Sequence, residues 1–294
     1  MYISDLDLIK TKLTIEGKLN RSEIIKLILR DWCVDEKQKF MEVGERYYAG
    51  RHDILNHDFR QSVVYDKISA ENSDDGKEHD VAQTVTNFNN SNMHNIHPFF
   101  RLLVDQKVGY VVGKPPTVSV EDDKAFETAI TTITTDEEFP DMLNDWVKEA
   151  SKKGVGWVHP YYDPDGSLHY IVVPANEVIA FYDSEHQRIL EDVVRFYTFD
   201  VVSSGTTVKR YKVEWWTAQD VSYYIQDEQG NYLLDNSYPV NPAPHWWNVT
   251  TVDGAEKSRE AHSWGRVPWV PLYNNTEAMS DLGGQDENGQ PCGI

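Results

Sequence analysis

Cysteine, long apolar runs and positive charge are all scarce in this chain of 294 residues. Cys33 and Cys292 are its two cysteines, and so small a number favours free thiols in a reducing cytoplasm over a disulfide framework. No eighteen apolar residues occur in succession, so the sequence predicts no membrane span. The first residues lack a basic segment followed by an apolar run, and we therefore expect no secretory signal.

The shortage of positive charge argues against one class of function, nucleic-acid binding. The chain has 28 lysine and arginine residues against 48 aspartate and glutamate residues, which gives a formal net charge of −20. Such a surface repels phosphate, which argues against tight nucleic-acid binding through a basic face. A wall past which DNA moves without being held would tolerate this charge. The 40% hydrophobic content, rich in Trp, Tyr and Phe, predicts a globular protein with a sizeable core.

Helical periodicity dominates the first half of the chain. Asn20 and Glu23 have the spacing of a capping box, and apolar residues recur after them at helical intervals. This helix is expected to run to about Tyr47, with a break near Val34 and with Gly50 as its C-terminal cap.

Three further helices are predicted before residue 155. Pro98 is suited to open an amphipathic helix, because a proline at the first helical position loses no hydrogen bond. The others are expected at 123–132 and 140–152, with Gly154 ending the last. Residues 61–92 have scattered charge and little periodic apolar content, which predicts a long mobile loop.

From Gly156 onward the apolar period changes from about 3.6 to 2, which predicts strands. The expected strands are 157–162, 168–173, 190–199, 208–216, 221–225 and 232–234. In 208–216 the alternation predicts one apolar face and one wet face that carries Lys212 and Glu214. Turn residues at 163–166 and 229–230 predict hairpins, and 264–275, restrained by two prolines, predicts a final edge strand.

Helices followed by a mostly antiparallel sheet define an α+β fold. We expect a helical segment at 1–60, a flexible polar loop at 61–97, an α+β domain at 98–282 and a disordered tail at 283–294.

A phosphate-binding loop is excluded at Gly109 to Lys114. Three residues separate Gly109 from Gly113 where four are needed, and Pro115 stands where a Ser or Thr would bind magnesium. The helix also precedes the Gly-Lys pair, so no helix N-terminus faces a phosphate. Gly113 is instead expected to end the helix in a left-handed conformation, after which two prolines extend the chain.

Several side chains have the chemistry of metal ligands without the spacing. They are His94, His97, His159, His169, Asp163, Asp165, Asp183, Glu185 and His186. No pair of them lies at a ligand spacing on a predictable element, so strand-end histidines and turn carboxylates are the better interpretation. Cys33, beside Trp32 in a predicted helix, is expected in the core. No nucleophile motif occurs, and we assign no catalytic, cofactor or metal residue.

Three aromatic pairs could stack nucleic-acid bases or could pack a sheet. They are Trp215-Trp216, Tyr223-Tyr224 and Trp246-Trp247. Because the chain is so acidic, packing of the sheet and contacts between subunits are the favoured roles.

Four segments, in this order, resemble one protein family. They are Tyr47 to Ile54 (YYAGRHDI), 103–118 (LVDQKVGYVVGKPPTV, with Asn89-Asn90 before it), 146–183 and 265–282. Together they resemble portal proteins of tailed bacteriophages, in the siphophage-type group common in Gram-positive hosts. No single motif is specific for this family, but the occurrence of all four in this order is specific for it.

The resemblance implies a structural protein and not an enzyme. Portals form a ring, usually of twelve subunits, at one capsid vertex in the virion, and assemble in the host bacterial cytoplasm. The ring contacts capsid and scaffolding proteins, docks the terminase, binds head-completion proteins, and lets double-stranded DNA pass during packaging and ejection without sequence-specific binding. No cofactor and no membrane is implied.

One departure from the family pattern concerns the C-terminal part. Family members continue from the outer, or wing, domain into a stem, a clip, a tunnel-lining segment and a crown. Here a short polar tail follows Leu282. We therefore expect a wing domain that lacks these parts, as a fragment, a truncated gene product or a prophage remnant.

Two other functions stay open at this point. An acidic α+β module could hold a protein or a carbohydrate on its aromatic sheet face. A hydrolase that uses the Asp and His residues between 159 and 186 has little support, because no nucleophile, base and orienting partner can be assembled there.

Overall fold

The computed structural model describes residues 21–68, 79–114, 116–163, 166–183, 189–203, 205–252, 255–275, 284–285 and 291–292. The chain forms two compact units, one of Met1–Glu45 with Leu102–Ile294 and one of Arg46–Arg101. This grouping follows contacts in space, whereas the four segments expected from the sequence are linear.

The helices confirm the periodicity of the first half. They are α1 (Arg21–Val34), α2 (Glu36–Tyr48), α3 (Phe99–Val112), α4 (Lys124–Thr135) and α5 (Glu138–Lys153), with short 3₁₀ turns at Asp53–Asn56 and Ala175–Glu177. The break predicted near Val34 lies at Asp35. Asp123 caps α4, because its carboxylate accepts hydrogen bonds from the backbone N–H groups of Ala125 and Phe126. Asn20 lies outside the described residues.

Two of the three predicted glycine caps are confirmed. Gly50 and Gly154 have φ of 75° and 86°, and the N–H of Gly154 donates to the carbonyl of Ala150 at 2.7 Å. The left-handed conformation expected at Gly113 is wrong, although α3 does end at Val112. A Cβ at Gly113 would overlap the carbonyl oxygen of Gly109, so this position needs glycine for space and not for handedness.

Most of the second half of the chain consists of antiparallel strands. In chain order the strands are β1 (Gln61–Ile68), β2 (His79–Thr86), β3 (Val155–Tyr162), β4 (Leu168–Val173), β5 (Val178–Tyr182), β6 (Leu190–Ser203), β7 (Thr206–Trp216), β8 (Asp220–Gln226), β9 (Tyr232–Leu234), β10 (Ala243–Pro244), β11 (Trp246–Val252), β12 (Ala255–His262) and β13 (Val270–Tyr273). The six expected strands are confirmed, whereas β5, β10, β11 and β12 were not foreseen.

The larger unit contains a six-stranded and a three-stranded sheet. The six-stranded sheet has the order β10-β8-β7-β6-β5, with β9 also on β8. The three-stranded sheet has the order β13-β3-β4, so β13 is the edge strand that the sequence predicted. Strands β11 and β12 form a separate hairpin. The predicted β3–β4 and β8–β9 hairpins are confirmed, with Gly166 and Gly230 at positive φ.

Two segments expected to lack regular structure contain paired strands. β1 and β2 form a ladder from Gln61–Thr86 to Ile68–His79, so the prediction of a loop is wrong for these residues. Exposed β-branched and aromatic residues such as Val63 and Tyr65 were the available signal for strands. In the expected tail, Gly284–Gln285 (β14) pairs with Pro291–Cys292 (β15).

The wet face predicted for β7 is wrong at Glu214, which is buried. Arg195 of β6 and Tyr223 of β8 lie opposite Glu214 in the ladder. The Arg195 guanidinium is 3.5 Å from the Glu214 carboxylate, which also accepts a hydrogen bond from the Trp216 indole at 3.1 Å. Pairing of this kind allows a carboxylate to be buried.

The core of the larger unit has apolar side chains from α1 and from both sheets. Those from α1 are Ile24, Ile25, Ile28, Leu29 and Trp32. Trp215 lies on the α1 side of the six-stranded sheet, where the Arg21 guanidinium stacks 4.9 Å from its ring. Trp216 lies on the opposite face, 4.4 Å from the ring of His159 in the three-stranded sheet. Adjacent residues of one strand thus serve both halves of the core.

Gly44 offers a direct test of how α2 packs on α5. A Cβ at Gly44 would overlap the backbone carbonyl of Lys152, so Gly44→Ala must push the helices apart. We expect a loss of about 1–3 kcal/mol in the free energy of unfolding, measured by urea titration. The control Gly109→Ala adds a methyl group in open space within α3 and should stabilise by up to about 1 kcal/mol. Equal stability of the two variants would contradict this packing.

Candidate functional site

The Tyr47 to Ile54 motif forms a hydrogen-bonded turn at the end of α2. The N–H of Gly50 donates to the carbonyl of Tyr47, and the N–H of Arg51 donates to the carbonyl of Arg46. The Asp53 carboxylate accepts hydrogen bonds from the Arg46 guanidinium and from the Tyr47 hydroxyl. The Arg46 hydrogen bond outweighs desolvation and lowers the pKa of Asp53. The motif therefore has a structural role in fixing the chain direction after α2.

The metal-ligand candidates do not converge. Among the residues that the structure describes, no three His, Cys, Asp or Glu side chains could together hold a metal ion. His169 of β4 contacts Glu138, the first residue of α5, at 2.9 Å and Asp163, which follows β3, at 3.1 Å. Asp165, Glu185 and His186 lie outside the described residues.

Cys33 is exposed, so its expected place in the core is wrong. Its neighbour Trp32 faces the core instead and donates its indole N–H to the carbonyl of Asn176 at 3.0 Å. Partial burial and the nearby Glu42 charge raise the pKa of the Cys33 thiol. A raised pKa lowers the thiolate fraction, which is the opposite of what a nucleophile requires.

The aromatic pairs differ in exposure. Trp215, Trp216 and Tyr224 are buried, so they pack the sheet as predicted. Trp246 and Trp247 of β11 are half-buried. The Trp246 ring stacks on His262 at 4.3 Å, and the Arg259 guanidinium covers Trp247 at 5.5 Å.

An ion cluster joins α2, α5 and the turn before β5, and its charged members are buried except for Glu45 of α2, which is exposed. The Lys152 ammonium lies 3.0 Å from Glu149 and 2.9 Å from Glu45. Lys153 donates to the amide oxygen of Asn176 at 2.8 Å. Burial alone would lower the pKa of Lys152, but the Glu149 and Glu45 carboxylates outweigh it and raise that pKa. The burial of these lysines was not predicted from the sequence.

His159 is buried between two tryptophans. Its Nδ1 lies 2.8 Å from the carbonyl oxygen of Pro268, and its ring stacks on Trp269 at 4.9 Å. Burial lowers the pKa of His159 to about 4, because the charged imidazolium would lose its hydration. The side chain is thus a neutral packing element and not a ligand or a base.

Among the described residues, the aromatic side chains of the core are packed, the charged side chains of the ion clusters are paired, and no reactive groups converge. These features indicate a structural protein, and a comparison with known protein families gives the same indication. The family model "Phage portal protein, SPP1 Gp6-like" matches residues 33–283. The chain belongs to this portal family. The resemblance drawn from the four segments is therefore confirmed.

Two curated portal proteins show how far the likeness extends. The portal protein of Bacillus phage SPP1 is 33% identical over 240 residues, which cover 81% of this chain and 42% of the relative. The portal protein of Clostridium phage phiCD119 is 26% identical over 248 residues, covering 81% and 47%. The chain spans less than half the length of these relatives.

Portal family members are structural proteins without enzymatic activity, in agreement with the prediction from sequence. Within the described part of this portal chain, no helix is long and apolar enough to cross a membrane.

The neutral His159 predicts a pH-dependent stability. Between about pH 6.5 and pH 4 the unfolded chain binds a proton at this site that the folded chain does not. The free energy of unfolding should therefore fall as the pH falls through this range, by about 3 kcal/mol from His159. His159→Phe should flatten the slope, measured by urea unfolding at several pH values. The control Val202→Ala changes an exposed residue without a titratable group and should keep the wild-type slope; equal slopes in both variants would contradict the assignment.

Proposed function

We propose that this portal chain is a subunit of a ring at one vertex of a tailed-phage capsid. The ring is a conduit through which double-stranded DNA enters during packaging and leaves during ejection. The match to the portal family over residues 33–283 carries this proposal.

The proposed partners follow from the same role. They are further copies of the chain in a ring of about twelve, capsid and scaffolding proteins, the terminase and head-completion proteins. The virion is the proposed location, after assembly in the cytoplasm of the host bacterium. Because the chain spans less than half of its curated relatives, these partners are proposed for the portal as a whole.

The charge of the chain supports the passage of DNA. A net charge of −20 repels phosphate, so a wall built from such subunits offers DNA few attractive contacts. DNA that must move in both directions gains from a wall that does not hold it.

The half-buried tryptophans of β11 favour a second candidate, a carbohydrate-binding module. Saccharides stack on open aromatic rings, yet His262 already stacks on Trp246 and Arg259 covers Trp247. Because these ring contacts are internal, the portal role is the better supported one.

A mass measurement tests the ring. Sedimentation at increasing protein concentration should show a discrete species of about twelve times the mass of the chain, alone or when the unmatched part of the SPP1 portal protein is joined to it. A strict monomer in the joined chain, together with saccharide binding, would contradict the portal role and support the second candidate.

A gel-mobility assay tests the DNA wall. At about 0.15 M salt, a long double-stranded DNA should migrate at its own rate when the chain is added, because repulsion between acidic protein and phosphate outweighs local contacts. Retardation that weakens with added salt would show a phosphate-binding face and contradict a non-adhesive wall.

A further inference from the structure

Helix α3 is apolar on two sides, and one of them is uncovered. Val104 and Val108 are buried. Leu102, Leu103 and Tyr110 are exposed, with Tyr110 at 92%. The apolar side of a helix normally packs against another element. The uncovered side of α3 is therefore a candidate contact surface.

The charge of this helix is opposite to that of the chain. Residues 99–114 contain Arg101, Lys107 and Lys114 against Asp105, a net charge of +2. In a chain with a net charge of −20, this segment therefore has a net positive charge in the sequence. A segment with exposed apolar side chains and a net positive charge is suited to an acidic apolar partner.

Helix α4 has the complementary character. Phe126 is 54% exposed, and Ala129 and Ile133 follow on the same side of the helix and are exposed too. Acidic residues lie at both ends, at 121–123 and 136–138, and the segment 121–138 has seven acidic residues and one basic residue, a net charge of −6.

The threonines of α4 lower the free energy that is needed to remove water from the surface of this helix. The hydroxyl groups of Thr128, Thr131, Thr132 and Thr135 donate to backbone carbonyls one turn earlier. Hydroxyl groups that are already bonded within the helix lose little when water is removed.

We propose that α3 of one copy docks on α4 of the next copy. The assignment rests on the proposed ring and names its contact surface. Contact of α3 with α3, or of α4 with α4, would bring like charges together, whereas α3 with α4 joins opposite charges and two apolar sides. Two different surfaces in contact make a head-to-tail arrangement, which forms a ring when the rotation closes.

A mixing experiment tests this contact. Tyr110→Glu disables α3 and Phe126→Glu disables α4, so each variant alone should sediment as a monomer. In the mixture, the intact α4 of the first variant meets the intact α3 of the second. The mixture should therefore form 1:1 pairs of twice the monomer mass and no ring. The control Val202→Glu changes an exposed valine on β6 and should assemble like the wild type.

The outcomes separate the contact from the ring. Rings in both single variants, or a mixture that stays monomeric, would overturn the proposed contact between α3 and α4. If both single variants form rings, the proposed portal role is unaffected. Open filaments of the wild type that the variants abolish would support the contact and contradict the ring. If the melting temperature of either variant differs from that of the wild type, Lys114→Glu is used in place of Tyr110→Glu and Asp122→Lys in place of Phe126→Glu. The expected masses are the same.

Discussion

The larger unit depends on two adjacent tryptophans at the end of β7. Trp215 and Trp216 point to opposite faces of the six-stranded sheet because successive residues in a strand alternate. Trp215 lies on the side of α1 and donates to Asp192 at 3.0 Å. Trp216 contacts His159 and Trp269 of the three-stranded sheet and its edge. One dipeptide thereby holds a helix and a second sheet on one central sheet.

Two charged groups near this core are buried with partners. The carboxylate of Glu214 is held by Arg195 and the Trp216 indole, and Lys152 of α5 is held by Glu149 and Glu45. Such clusters cost desolvation and contribute fixed geometry more than net stability. In the proposed ring, where each subunit would repeat the same contacts, fixed geometry is the useful property.

Local signals predicted most of the fold. Periodicity located the helices and six strands, and turn residues located the hairpins, because these depend on nearby residues. The burial of Glu214 and the exposure of Cys33 were missed, since each depends on which distant element covers the residue. The β1–β2 hairpin was missed because its sequence carries no periodic apolar stripe. The family was recognisable from the order of four segments, whereas the complementary α3 and α4 surfaces needed the structure.

We propose that copies of this acidic portal chain meet head to tail and form a ring. Electron cryomicroscopy of the assembled species tests it most directly. Class averages should show closed rings around one central channel, with α3 of each subunit against α4 of its neighbour. Two-fold dimers without a channel, or rings in which Tyr110 and Phe126 face solvent, would contradict the account.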